Sequence, residues 1–194
     1  MKRAVQFTLG VPRMPPFIAL LRGVNVGKAK RVPMVELRAL LTELGYSDVV
    51  TLLNSGNAVF SAPSGSSAKY AADIAAAISD SLKIEVPVVV KSGKELAIIV
   101  AENTLATASV DHSRLLVAFV QDGKALDGLA AIKTLVAPAE QFLIGKNAAY
   151  LLCTSGILES KAGEALLGKA GKSATTRNWA TVLKLHALAN EADT

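Results

Sequence analysis

The chain has little of what usually marks catalysis. It carries one cysteine, Cys153, and two histidines, His112 and His186, in 194 residues. One thiol excludes an intramolecular disulfide and a cysteine-rich zinc centre, and two histidines are too few for a histidine-based metal site. No metal or cofactor is expected. Aromatic residues make up 5% of the chain, little material for stacking on bases. No apolar run approaches the ~18 residues of a membrane span. The run Phe17–Leu21 is stopped by Arg22, short of the roughly 7–15 residues of a secretory signal core. No membrane association is expected, and the lone thiol fits a cytoplasmic protein. Acidic residues are missing from residues 1–31, which hold seven cations: Lys2, Arg3, Arg13, Arg22, Lys28, Lys30 and Arg31.

What is present is an Ala/Val/Leu-rich globular composition, 51% hydrophobic and 19% charged, with a formal charge of +5. The length permits one large domain or two of about 90 residues. Residues 32–194 carry 14 cations against 16 acids, so the basic character is an N-terminal feature rather than a global nucleic-acid signature. Met14, before Pro15-Pro16, reads as the natural start. Residues 1–15 read as a disordered extension.

Phe17–Leu21 reads as a buried strand. A Gly-containing loop, Arg22 to Val32, follows, with Pro33 at the first position of a helix stopped by Gly45. Val49–Leu53 and Ala58–Ser61 form a hairpin around Asn54-Ser55-Gly56-Asn57. Ala68–Leu82 is a helix, and Val86–Val90 a strand that Pro87 assigns to a sheet edge. The order β-α-β-β-α-β over residues 16–91 is that of a ferredoxin-like, split βαβ unit. Ser92 and Glu95 form a capping box that opens a helical connector, residues 92–112. The second unit, residues 113–194, has a strand at Arg114–Val120, a helix at Ala125–Leu135 and a hairpin from Gln141–Ile144 to Ala149–Cys153. Helices follow at Leu158–Leu167 and Arg177–Ala189. The expected fold is α+β, two tandem ferredoxin-like plaits with an additional C-terminal helix.

Three stretches carry a family resemblance. The first is Phe17-Ile18-Ala19-Leu20-Leu21-Arg22-Gly23-Val24-Asn25-Val26-Gly27 with Lys30 and Val32-Pro33-Met34. The second is Asn54-Ser55-Gly56-Asn57 with Val59-Phe60. The third is Thr176-Arg177-Asn178-Trp179 with Thr181-Val182-Leu183-Lys184-Leu185. In these the chain resembles the bacterial family catalogued as domain of unknown function 1697, over residues 16–189. The resemblance implies a tandem of ferredoxin-like folds and supplies no catalytic residues. Thr154-Ser155 stand where the family usually has Asp or Pro before Gly156.

The candidate ligand-binding residues lie in these stretches. Arg22, Lys28, Lys30 and Arg31 bring four cations to a loop in which Gly23 and Gly27 let the backbone approach a ligand. The helix that follows offers free N–H groups, which suits a phosphate or carboxylate. The spacing of Gly23 and Gly27, with Ala29 where a hydroxyl should stand, excludes a P-loop; the plain alternative is a solvated loop. Asn54, Ser55, Gly56 and Asn57 make a good turn with polar groups to spare. Neighbouring antiparallel strands would bring Asn57 towards Asn25 and Arg22. At the third stretch, Thr175 or Thr176 caps a helix whose first turn holds Arg177 and Asn178, a cation set against the helix dipole. Trp179 reads as a core anchor or a stacking platform. Lys161, Ser155, Cys153, His112 and His186 read as ordinary surface or core groups. No carboxylate lies in the three stretches, so acid–base chemistry would have to recruit one such as Glu36.

The reading that follows is a binding module for a phosphate-bearing ligand, a nucleotide or a nucleic acid. The alternatives are an enzyme acting on a small phosphorylated or carboxylated substrate, and a structural or interaction protein. Phe60 alone in the third strand argues against base stacking of the RNA-recognition-motif kind.

Overall fold

A computed structural model describes residues 14–27 and 30–193. The expectations for residues 1–13 and Lys28 fall outside the described residues. The first half runs β1 (Pro16–Leu21), α1 (Met34–Glu43), β2 (Ser47–Leu52), β3 (Asn57–Ser61), α2 (Ser67–Leu82) and β4 (Val88–Ser92). Helix α3 (Gly93–Glu102) leads into β5 (Leu115–Val120), a 3₁₀ helix (Gly123–Leu135), β6 (Gln141–Ile144), β7 (Ala148–Leu152), α4 (Lys161–Leu167), β8 (Ala174–Asn178) and α5 (Trp179–Asp193). The result is a mixed α+β fold with two four-stranded antiparallel sheets, ordered β2-β3-β1-β4 and β6-β7-β5-β8.

Strands β1 and β5 are buried at every position, because each sheet is covered on both faces. Phe17, Ala19 and Leu21 meet α1 and α2 on one side of the first sheet. Ile18 and Leu20, on the other side, meet a middle layer made by α3 and α5, which also takes Val117, Phe119 and Tyr150 from the second sheet. The 3₁₀ helix and α4 close the far side of the second sheet. Strands covered on both sides read as continuous apolar runs rather than alternating ones.

Side chains stitch the layers together. Glu95 closes the expected capping box with Ser92, and its carboxylate also accepts from Ser67 Oγ at the start of α2. At the other end of α3, Glu102 accepts from Asn147 N and from Tyr150 Oη in the second half. The exposed edge of β4 meets the Gln121 amide, which accepts from Val90 N and donates to Val90 O, at 2.9 and 3.2 Å.

The structure corrects several element boundaries. Pro33 is the N-cap of α1, in extended backbone, rather than its first residue. Strand β4 starts and ends two residues later than the sequence implies. Helix α4 begins at Lys161, because the Ser160 hydroxyl accepts from Gly163 N and fixes the start there. Residues 123–135 form a 3₁₀ helix in place of an α-helix. Leu126, Leu129 and Ile132, all buried, repeat every three residues, the period that a 3₁₀ helix keeps on one face. The largest correction is at the C-terminus. Ala174–Asn178 forms the last strand, so that Arg177 and Asn178 do not start a helix, and α5 begins at Trp179. Its cap is Asn178, whose Oδ1 accepts from Thr181 N at 3.0 Å, instead of Thr175 or Thr176.

Candidate functional site

The loop after β1 is shaped by left-handed backbone at Gly23, Asn25, Gly27 and Lys30. Asn25 holds it closed. Its Nδ2 donates to Val32 O at 2.9 Å and to Asn54 O at 2.7 Å, and its Oδ1 accepts from Val32 N at 3.0 Å. One side chain thus ties the loop to the start of α1 and to the β2–β3 hairpin. Asparagine tolerates the left-handed region that the turn demands.

These three segments enclose a cavity of about 340 Å³. Asn25 and Gly27 line it from the loop, Asn54 from the hairpin, and Arg31 to Met34 from the entry to α1. Among the described residues no acidic one lines it. Pro33 provides no side-chain cap, so the first-turn N–H groups of α1 have no side-chain acceptor, and the helix presents a partial positive charge there. Lys30 opens on a different groove, with Ser79 and Glu85. Glu36 sits exposed in the first turn of α1, outside the cavity lining.

Arg22 and Arg177 leave this cavity and join the two halves. Arg22 reaches from the end of β1 to the second half. Its guanidinium donates to Leu167 O and Gly168 O at the end of α4, and to Gly171 O and Ala174 O on the way into β8. A cation at a helix C-terminus is favourably placed. Burial lowers its pKa.

Arg177 reaches the other way. It is 8% exposed, on β8, and donates from Nε to Asn57 Oδ1 and from one terminal nitrogen to Thr175 Oγ1 and Thr176 O. The other nitrogen donates to Leu21 O at 2.8 Å, Ser55 O at 2.9 Å and Gly56 O at 3.3 Å. All five N–H groups of the fork are used, and every acceptor is neutral. Burial pushes its pKa down to about 10, so it remains a cation at neutral pH. Among the described residues the ion pairs are Lys69–Asp73, Lys91–Glu95 and Arg114–Asp111; neither arginine has a carboxylate partner. Gly56 permits the contact: a Cβ there would lie 2.6 Å from Leu21 Cβ and from Val24 Cγ2.

The structure therefore brings the three sequence stretches together, in different pairings from those expected. Asn57 meets Arg177 rather than Asn25 or Arg22, and its Nδ2 donates to Leu52 O and Ser55 Oγ. Asn178 caps α5. Trp179 is 4% exposed, in the middle layer. Phe60 is fully buried among Phe17, Tyr46 and Tyr70. Cys153 is buried, and burial raises its pKa. Among the described residues no cluster of His, Cys, Asp and Glu fits a metal ion. No helix there is long and apolar enough to cross a membrane. Arg31, one of the loop cations that the sequence singles out, lines the cavity, whereas the sequence reading missed Val32, Pro33 and Met34. It also missed a larger cavity of about 640 Å³ where α2 and α3 begin. There the Glu95 carboxylate already accepts from Ser67 and Ser92; although burial alone would raise it, those hydrogen bonds and Lys91 bring its pKa below the usual range.

Residues 14–150 match the model of the family described as Protein of unknown function (DUF1697). The chain belongs to the DUF1697 family. The matched span contains the first two stretches, the loop and the hairpin, and ends before the stretch at residues 176–185. No curated protein matches the chain. Among solved structures, this DUF1697 protein is similar to the conserved bacterial protein SP0830 from Streptococcus pneumoniae. The two are 25% identical, with a TM-score of 0.75 over 91% of this chain and 99% of that one.

Proposed function

We propose that this DUF1697 protein binds a small phosphate-bearing ligand in the cavity at the start of α1. The observation that carries the reading is the lining itself: an uncapped helix start, Arg31 and two asparagines, with no acidic residue among those described. A cation beside a helix N-terminus is unfavourable by itself; a bound anion would satisfy both. The exposed Val26, Val35 and Leu53 belong to the segments that form the cavity and would suit the apolar body of a nucleotide-like ligand. The burial of Phe60 and Trp179 favours a small ligand over a stacked nucleic acid. The strand orders, the same in both sheets, support the finer reading of each half as a ferredoxin-like plait.

The test is a ¹H–¹⁵N titration of the whole chain with inorganic phosphate and with adenosine monophosphate, at moderate salt. The expected result is a saturable shift of the Val32, Met34 and Val35 amides, lost in Arg31→Glu. Absence of any shift overturns the reading. Diffuse shifts over basic residues that fade as salt rises would assign the chain an electrostatic surface instead.

A further inference from the structure

We propose that Arg177 is the positioning residue of the α1 cavity, so that the second half of the chain shapes a cavity lined by the first half alone. The geometric claim stands on the unliganded protein; its consequence for binding rests on the ligand reading above.

The connection is continuous. The Arg177 fork holds Ser55 O, Gly56 O and Asn57 Oδ1. Asn57, fully buried, passes the constraint along the hairpin by donating to Leu52 O at 2.9 Å and Ser55 Oγ at 3.0 Å. The preceding residue, Asn54, gives its carbonyl to Asn25 Nδ2, and Asn25 bonds both main-chain groups of Val32, next to the cap of α1. Every link is a main-chain group or a short amide or hydroxyl side chain. Outside contacts help hold the hairpin, since Leu53 keeps a left-handed backbone that a branched side chain adopts at a cost. A planar fork fixes the orientation of the carbonyls it meets, which a lysine ammonium does not. Without a carboxylate partner, Arg177 has no ion pair to account for its burial.

The test uses the full chain, ¹⁵N-labelled and free of ligand. Arg177→Lys keeps the charge and loses the fork. The expected result is movement of the Asn25 side-chain amide and Val32 N–H signals, with Val32 N–H exchanging about tenfold faster, on the scale of one lost hydrogen bond. Leu166→Ala, which opens a gap in the outer layer of the second half, weakens the fold without touching the hairpin and is expected to leave those signals in place. Unmoved Asn25 and Val32 signals in folded Arg177→Lys overturn the proposal. Equal movement in Leu166→Ala also overturns it, making Arg177 a stability anchor only. If Arg177→Lys does not fold, Asn57→Ala cuts the Nε contact from the hairpin side and is read the same way. A wild-type chain that binds neither phosphate nor adenosine monophosphate ends the ligand reading, while the Asn25 and Val32 signals still decide this one.

Discussion

Arg177→Met tests whether a buried cation with only neutral partners stabilises a fold. Methionine fills much of the same volume and donates nothing. Holding the charge inside has a cost: the fall of Arg177 from the ordinary arginine value to about 10 corresponds to about 3 kcal/mol. Against it stand five N–H groups on neutral acceptors. Hydrogen bonds to a charged group contribute about 1.5–3 kcal/mol each. At the low end, five of them exceed the cost of burial by about 4 kcal/mol. Not every acceptor is orphaned. Gly56 O keeps Leu21 N, whereas Asn57 Oδ1, fully buried, loses the donor that held it. The expected loss is about 4 kcal/mol, or roughly 8–16 °C in melting temperature for a chain of this size. Urea unfolding followed by circular dichroism measures the first, and calorimetry the second. A methionine variant within about 1 kcal/mol of wild type, or more stable, would refute the reasoning, because an apolar filler would then equal the whole hydrogen-bonded fork.

Two further outcomes are expected. Arg22→Ala frees the carbonyls that end α4, with a stability loss of about 1–2 kcal/mol; trypsin should then cut sooner at the exposed Lys169 and Lys172, and an unchanged cleavage rate there sinks the idea. Burial, helped by the charge of Asp73, pushes Tyr46 up to about 12, and burial with the Glu102 hydrogen bond raises Tyr150 as well. An unfolded phenol ionises near 10, so between about pH 10 and 12 the unfolded chain binds fewer protons and stability falls as pH rises. Absorbance at high pH should show these two phenols un-ionised while the chain is folded and ionised once it unfolds; phenolate from all three tyrosines in folded protein contradicts it.

The first half was legible because its signals are local. The apolar run at Phe17–Leu21, the Pro33 entry, the turn at Asn54–Asn57 and the Ser92–Glu95 box each act within a few residues. The second half hid two features. Leu126, Leu129 and Ile132 carry a three-residue repeat, and with alanines between them it passes for a loose four-residue one. Thr175 to Asn178 is polar for a buried strand, since two of its residues bond across to the first half: Thr175 and Arg177 both donate to Leu21 O. Read alone, Thr-Thr-Arg-Asn before an apolar helix looks like a cap and first turn. Its polarity serves the contact between halves, which no local pattern encodes. The same applies to Arg22. Arginine and asparagine clustered without acids fit an anion clamp and equally fit a clamp on the chain's own carbonyls, because both uses need donors and no competing carboxylate.

What separates the two uses is whether the donors are already taken, and the repeated strand order allows that comparison at one topological position. In the first half, residues 22–33 connect the first strand to its helix; in the second, only residues 121–122 do so. The short connection ends in Asp122, whose carboxylate accepts from Lys124 N and caps the 3₁₀ helix from within. The long one ends in Pro33, which caps nothing, and places Arg31 beside the same helix start. The second half has thus placed an acid at the cap position itself, whereas the first half has Arg31 before its cap and keeps its first-turn acid, Glu36, exposed and outside the cavity lining. Repulsion between Arg31 and the helix start persists at little cost in water, but it is strengthened wherever the cavity walls exclude water. An anion from outside would answer the uncapped N–H groups and the Arg31 charge at once, and that asymmetry supports the proposed site in the first half.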